Sequence, residues 1–188
     1  MIESKTGEDI LSMNLPNQEY LVDQILPSGL FLLAGSPKIG KSWLVLQLGI
    51  AISNGTDFLG FTTQQSHVLY LCLEDTYQRI QNRLVDYEDE SLDNIKFSTS
   101  SSKLDSGLIE ELDHYISEHE NTKLIIIDTL QKIRNTRIDG FTYDQDYKEI
   151  NILSEFVNRT GVSILLVHHL RKMKAEDTFE AISVTTGI

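Results

Sequence analysis

Short runs of apolar residues alternate along the chain with segments whose apolar residues recur at helical spacing. Five apolar runs predict strands, at residues 30–34, 68–73, 95–98, 124–127 and 163–167. The segments between them predict helices, over residues 41–53, 77–90, 108–119 and 147–158. Strands that are apolar on both faces and separated by helices indicate a mainly parallel sheet covered by helices on both sides. The pattern therefore predicts a three-layer α/β fold.

The amino-terminal part of the chain has a different pattern. Residues 1–14 are polar and predict a loose segment, whereas residues 15–26 carry enough apolar side chains for a short helix or a packed arm. The turn signal Pro27-Ser28-Gly29 separates this part from the first predicted strand of the sheet. We expect a partly flexible arm over residues 1–20 and one core domain over residues 21–188.

Composition limits the functional classes. The 188 residues correspond to about one domain, at roughly 100–200 residues per domain. A single cysteine, Cys72, excludes an internal disulfide framework and an all-cysteine metal site. We find neither a secretory signal pattern nor an apolar stretch of about 20 residues, so we expect a cytoplasmic protein without a membrane span. The net charge of −12 argues against a surface coated with nucleic acid, but not against a local basic site.

Residues 35–42, GSPKIGKS, fit the phosphate-binding pattern G-x-x-x-x-G-K-[ST]. The pattern follows a predicted strand and opens a predicted helix, which is the context that it requires; a glycine turn with an incidental lysine is the alternative. Glycines permit close approach of the backbone to phosphate, and the loop amides and the helix amino terminus attract the anion. We predict that the phosphates of a nucleotide are bound by Gly35, Ser36, Pro37, Lys38, Ile39, Gly40, Lys41, Ser42 and Trp43. Lys41 would reach the β- and γ-phosphates and Ser42 would bind Mg²⁺.

Acidic residues follow two of the predicted strands, at the sheet edge where ligands bind in parallel α/β folds. Asp128 is predicted to hold Mg²⁺ through a water, and the alternative is a turn or capping acid. Glu74 is predicted to be catalytic, because its carboxylate could orient the water that attacks the γ-phosphate. Asp75 is predicted to cap the following helix.

Two histidines follow the last predicted strand. His168 is predicted to face the phosphate site and to sense the γ-phosphate, and a purely structural histidine is the alternative. Because successive side chains on a strand point to opposite faces, His169 is predicted to face away from the site.

Four stretches, in order, resemble RecA-like P-loop ATPases, and most closely the RepA-type branch of the AAA family. They are GSPKIGKS at 35–42, VLYLCLED at 68–75, LIIIDTLQKI at 124–133 and VSILLVHHLRK at 162–172. The resemblance covers residues 21–188 and implies an ATPase that forms hexameric rings and moves on or remodels DNA in plasmid, phage or mobile-element replication. It implies that Glu74 is the catalytic glutamate, that Asp128 is the Mg²⁺-associated aspartate, and that His168 links the γ-phosphate to a DNA-facing loop.

Two basic segments, residues 131–138 and 171–174, each carry three cations and no acid. The resemblance implies that loops at these positions line the ring channel, and phosphate contacts there would make DNA binding salt-dependent. Single-stranded DNA is therefore predicted to contact Lys132, Arg134, Arg137, Arg171 and Lys172. Ordinary solvated side chains are the alternative.

The chain departs from the family in two places. Val184 follows Ile182 and Ser183 where the family carries glycine, and the sequence stops at Ile188 where the family continues with strands and a neighbour-acting arginine. We therefore expect a core that is incomplete at its carboxyl end, which puts the family's hexamer in question. The alternative to an ATP-hydrolysing DNA motor is a nucleotide-binding regulatory or interaction module with little turnover. A small-molecule kinase is less favoured, because no arginine-rich lid follows.

Overall fold

A computed structural model describes residues 2–15, 18–87, 90–134 and 142–170 of the chain. The helices are α1 (Gly7–Ser12), α2 (Lys41–Asn54), α3 (Tyr77–Leu84), α4 (Leu108–Glu118), α5 (Leu130–Ile133) and α6 (Thr142–Thr160). The strands are β1 (Tyr20–Val22), β2 (Leu26–Pro27), β3 (Leu30–Gly35), β4 (His67–Cys72), β5 (Ile95–Ser98), β6 (Thr122–Asp128) and β7 (Ser163–His169). A single 3₁₀ turn, Val85–Tyr87, continues α3.

The central sheet has five parallel strands in the order β3-β7-β6-β4-β5. All five strands predicted from apolar runs belong to it, so the predicted α/β fold is confirmed. Because every strand runs in the same direction, the ends of β3, β4, β6 and β7 meet at one carboxyl edge. This edge carries the phosphate loop, both predicted acids and the two histidines.

Alternate residues of each strand pack into two separate cores. One face of the sheet, with residues such as Tyr70, Ile126 and Val167, packs against α2 and Ile80 of α3. The opposite face packs against the α4, α5 and α6 helices. Helix α2 is apolar nearly all round and is buried over most of its length, which fits a helix packed tightly against the sheet.

The amino-terminal predictions are partly wrong. Within the segment expected to be loose, α1 begins at a capping box in which Thr6 Oγ1 accepts from the Asp9 amide and the Asp9 carboxylate accepts from the Thr6 amide. Of the two alternatives for residues 15–26, a short helix or a packed arm, the described residues form the arm, in which β1 and β2 pair antiparallel. Backbone hydrogen bonds from Asp23 to Thr62 and from Gln64 to Leu21 attach this arm to the loop before β4. This long-range pairing outweighs the local helical pattern.

The other differences concern helix ends. Helix α6 begins at Thr142, five residues earlier than predicted, and α3 gives way to the 3₁₀ turn after Leu84. Within the described parts of the chain, no helix is both long enough and apolar enough to cross a membrane.

Candidate nucleotide-binding site

The loop between β3 and α2 closes around its own lysine. Lys41 Nζ donates to the backbone carbonyls of Gly35 and Ser36, each at 2.8 Å. Gly40 has a φ of 92°, a left-handed conformation that side chains rarely adopt, and it immediately precedes the first helical residue. The glycine of the motif therefore turns the chain into α2 and directs the first free amides of the helix towards the loop.

The charge of Lys41 lies near both predicted acids. Burial lowers the pKa of Lys41, whereas the negative charges of Asp128 and Glu74 act to raise it. Because β3, β4 and β6 are parallel strands of one sheet, the phosphate loop, the segment after β4 and the end of β6 lie at the same edge.

Asp128, the last residue of β6, is buried and is held by a tyrosine that sequence reasoning did not identify. The Tyr70 hydroxyl donates to Asp128 Oδ2 at 3.1 Å and lies 3.4 Å from the backbone carbonyl of Ser42. Burial, and next the charge of Asp128, raise the pKa of Tyr70 far above its usual value. The phenol therefore remains a hydrogen-bond donor.

Glu74 lies beside Asp128 but is more exposed. Its Oε1 accepts from the Thr129 hydroxyl at 3.2 Å, and its Oε2 lies 3.5 Å from His169 Nε2. Contacts on two sides orient this carboxylate, while its partial exposure leaves room for a water. Thr129 directly follows Asp128 and was not identified from the sequence. Its contact connects the end of β6 to the predicted catalytic acid.

The structure reverses the predicted orientations of the two histidines. His169, not His168, contacts Glu74 and lines the cleft beside the phosphate loop. His168 is buried in β7, with only 3% of its surface exposed. The reason is the phase of the strand, because Val167 faces the α2 side and His169, two residues later, shares that face. The alternation of side chains along β7 follows from the sequence, but the face of the sheet that α2 covers does not.

A cleft of about 270 Å³ opens beside the loop. It is lined by Lys38, Gly40, Lys41, Ser42, Trp43, Arg83 and His169. Arg83 was not predicted, because its place depends on how α3 packs beside α2. Its guanidinium lies over the Trp43 ring, 5.7 Å from the centroid, and pairs with Asp75 at 2.6 and 3.2 Å.

The predicted helix cap at Asp75 is wrong. The residue that caps α3 is Thr76, whose hydroxyl accepts from the Arg79 amide at 3.3 Å. Asp75 instead holds Arg83 in the wall of the cleft.

The predicted DNA contacts separate into three groups. Lys132 of α5 is exposed. Arg134 is not on the surface: it is 3% exposed, and its Nε donates to Glu149 Oε2 at 2.7 Å. Arg137, Arg171 and Lys172 lie outside the described residues.

The available oxygen ligands fit Mg²⁺. This ion keeps several waters and binds one or two protein oxygens together with substrate phosphates. The Ser42 hydroxyl and the Asp128 carboxylate are such ligands. Over the described ranges, no group of three or more His, Cys, Asp or Glu side chains is arranged to hold a metal ion.

Comparisons with known proteins concern the family and the fold of the chain. A family model described as an AAA domain matches residues 3–175. Among solved structures, the ATPase domain of G40P matches with a TM-score of 0.58 and 13% identity, covering 77% of this chain and 58% of that one. The chain thus spans a little over half of that domain, and at this identity the likeness concerns the fold. No curated protein matches the sequence at a significant level.

Proposed function

The chain belongs to the family of AAA domains, and from this premise we propose that it binds ATP with Mg²⁺ and hydrolyses the γ-phosphate in the cleft beside residues 35–42. One observation carries the proposal. Lys41, held by the loop carbonyls, directly precedes Ser42, whose carbonyl lies 3.4 Å from the Tyr70 hydroxyl that donates to Asp128. Thr129, next to Asp128, contacts Glu74. A cation, a metal-binding acid and a second, more open acid at one loop are the groups that phosphoryl transfer to water requires.

Binding of the nucleotide uses the loop. The amides near Gly40 and the start of α2 would surround the phosphates, and Lys41 would exchange its loop carbonyls for phosphate oxygens. Ser42 and Asp128 would hold Mg²⁺, which neutralises charge on the β- and γ-phosphates when bound. The cleft wall at Trp43 and Arg83 adjoins the loop and would contact the rest of the nucleotide.

Hydrolysis uses Glu74. Its carboxylate, oriented by Thr129, would accept a proton from a water as the water oxygen bonds to the γ-phosphorus. The bond from that phosphorus to the bridging oxygen of ADP breaks, and the negative charge that develops faces Lys41. His169, 3.5 Å from Glu74, replaces His168 in our proposal as the histidine nearest the reacting groups.

We further propose that hydrolysis drives movement on single-stranded DNA, as the sequence resemblance implies, in a cytoplasmic, ring-forming assembly. Support comes from the position of Lys132. This exposed cation lies on α5, which begins two residues after Asp128, and the intervening Thr129 contacts Glu74. A structural change at the γ-phosphate would therefore be transmitted from Asp128 to Lys132, the proposed DNA contact, which lies four residues further along the chain.

The experiment is ATP hydrolysis, with and without single-stranded DNA, by the wild type, Glu74→Gln and Lys41→Ala. We expect Glu74→Gln to reduce turnover by at least about 100-fold while nucleotide binding survives, because loss of a general base affects the chemical step. Lys41→Ala should weaken binding itself. Light-scattering mass with ATP and Mg²⁺ would reveal a ring.

A different result would require a different proposed function. If the wild type binds ATP without turnover under all these conditions, the hydrolytic proposal is wrong. The protein would then be the nucleotide-binding interaction module described as the alternative.

A further inference from the structure

The hydroxyl of Tyr70 is a polar atom placed inside an apolar core. The side chain is 1% exposed, and its ring packs with Phe97 at a centroid distance of 5.8 Å. The hydroxyl lies at the end of the core nearest the phosphate loop, 3.1 Å from Asp128 Oδ2 and 3.4 Å from the Ser42 carbonyl. It thus lies between the two residues that are proposed to hold Mg²⁺.

The register of the sheet explains this position. Tyr70 of β4 is paired with Ile126 of β6, and Asp128 follows two residues later on the same face. Two residues of a strand span about 6.6 Å, a distance that a tyrosine ring and its hydroxyl can bridge. A phenylalanine would fill the same space in the core but could not form the hydrogen bond.

We propose that the Tyr70 hydroxyl is a positioning group for Mg²⁺. Its hydrogen bond to Oδ2 holds the Asp128 carboxylate in one orientation, in which this carboxylate would bind the hydrated Mg²⁺. The same hydroxyl lies 3.4 Å from the Ser42 carbonyl, so it packs between this carboxylate and the first turn of α2, which carries the Ser42 hydroxyl. The inference rests on the proposed function and assigns to Tyr70 a part of its metal site.

A role in packing alone predicts a different behaviour. If Tyr70 only fills the core, replacing it with phenylalanine would change stability and leave metal dependence unaltered. If it positions Asp128, the same replacement changes metal dependence, because partners of metal-binding groups commonly contribute 10- to 100-fold to metal affinity or activity.

The chain contains a built-in reporter for this test. Trp43, its single tryptophan, directly follows Ser42, is 45% exposed and lines the cleft. Its fluorescence can follow titration with a non-hydrolysable ATP analogue, in the presence of Mg²⁺ and in EDTA. The quantity of interest is the ratio of the two dissociation constants, here termed the magnesium gain. Because both constants come from one variant, a fraction of unfolded protein cancels from the ratio.

We expect Tyr70→Phe to reduce the magnesium gain about tenfold and to leave binding in EDTA unchanged. The matched control is Tyr115→Phe, which removes a phenol packed against the other core, far from the loop in the fold. It should retain the full gain. In an Asp128→Asn background, Tyr70→Phe should cause no further loss, because the two groups act through one contact.

Two results would overturn the proposal. One is an unchanged gain in Tyr70→Phe, whether or not binding weakens equally with and without Mg²⁺, and the other is additive losses in the double variant. A wild type that does not bind the analogue at all would overturn the proposed function with it. If the wild type binds the analogue and Tyr70→Phe has the same magnesium gain, the role of Tyr70 is wrong but the proposed function stands.

Discussion

At the scale of single residues, Asp75 shows how a side chain can support the site without touching phosphate. Its carboxylate accepts hydrogen bonds from both terminal nitrogens of Arg83, and the ion pair is largely shielded from solvent. Arg83 in turn lies over Trp43. The wall of the cleft is therefore fixed by an ion pair and a cation–π contact rather than by apolar packing alone.

Replacing Asp75 with asparagine should lower the free energy of unfolding by about 1 kcal/mol, because a partly buried, bidentate pair contributes more than an exposed one. Urea unfolding followed by circular dichroism measures this change. Arg79→Gln is the control, since Arg79 lies 3.9 Å from the same carboxylate but is exposed. It should change stability little, and equal effects of the two substitutions would contradict the assignment.

Residues within one contiguous motif were predictable, and residues that meet through tertiary packing were not. Gly40, Lys41 and Ser42 follow from the loop pattern, because their spacing alone sets their geometry. Tyr70 and Arg83 carry no local signal, since their roles depend on strand register and on the approach of α3. The orientation of His169 is an intermediate case, because the alternation of side chains along β7 was predictable but the face of the sheet that α2 covers was not.

At the scale of elements, the contact between α2 and the sheet is unusually close at Gly49. A Cβ built there would lie 3.0 Å from Ile95 Cδ1 and 3.2 Å from Ile126 Cδ1. A glycine in a helix interior costs about 1 kcal/mol relative to alanine. Here it allows the helix that carries Lys41 and Ser42 to approach β4, β5 and β6.

Gly49→Val should therefore destabilise the protein by roughly 1–3 kcal/mol, through overpacking of this contact. Thermal unfolding monitored by circular dichroism provides the measurement. Gln47→Val places the same β-branched residue at an exposed position of α2 and isolates its effect on helix propensity. A similar loss in both variants would show that crowding against the sheet is not the cause.

The elements of the sheet were predictable because each is a continuous apolar run that must be buried. The two strands of the arm were not, because β1 and β2 are short and owe their position to pairing with the loop at residues 62–64. Helix α1 has no buried residue, so an amphipathic pattern could not reveal it. Its signal was local, in the capping pair of Thr6 and Asp9.

At the scale of the whole molecule, the charge distribution bears on the proposed DNA contact. The chain has 28 acidic and 16 basic residues, so long-range attraction of DNA by the molecule as a whole is unfavourable. Any binding must therefore depend on local cations. Lys132, at the carboxyl edge of the sheet, is one such cation, and of the five predicted DNA contacts it is the one that lies exposed within the described residues.

If Lys132 contacts a DNA phosphate, Lys132→Gln should lower the slope of log affinity against log salt by about 0.7 for single-stranded DNA. Fluorescence anisotropy with a labelled oligonucleotide, over a range of salt concentrations and with the analogue bound, measures the slope. Lys123→Gln removes an equal charge near the start of β6, the strand that precedes α5, at the opposite edge of the sheet. If Lys132→Gln and Lys123→Gln have the same slope of log affinity against log salt, the assignment of Lys132 as a DNA contact is wrong.

Because the five strands all run in one direction, the two ends of the sheet differ. The carboxyl end carries the phosphate loop, whereas Asn121 and Lys123, seven and five residues before Asp128, lie about 23 and 17 Å from it at the amino end. The amino end also presents Gln64, Gln65 and Asn94, which line a separate polar cavity. A dye, a bead or a fused domain attached there would leave the proposed nucleotide site open.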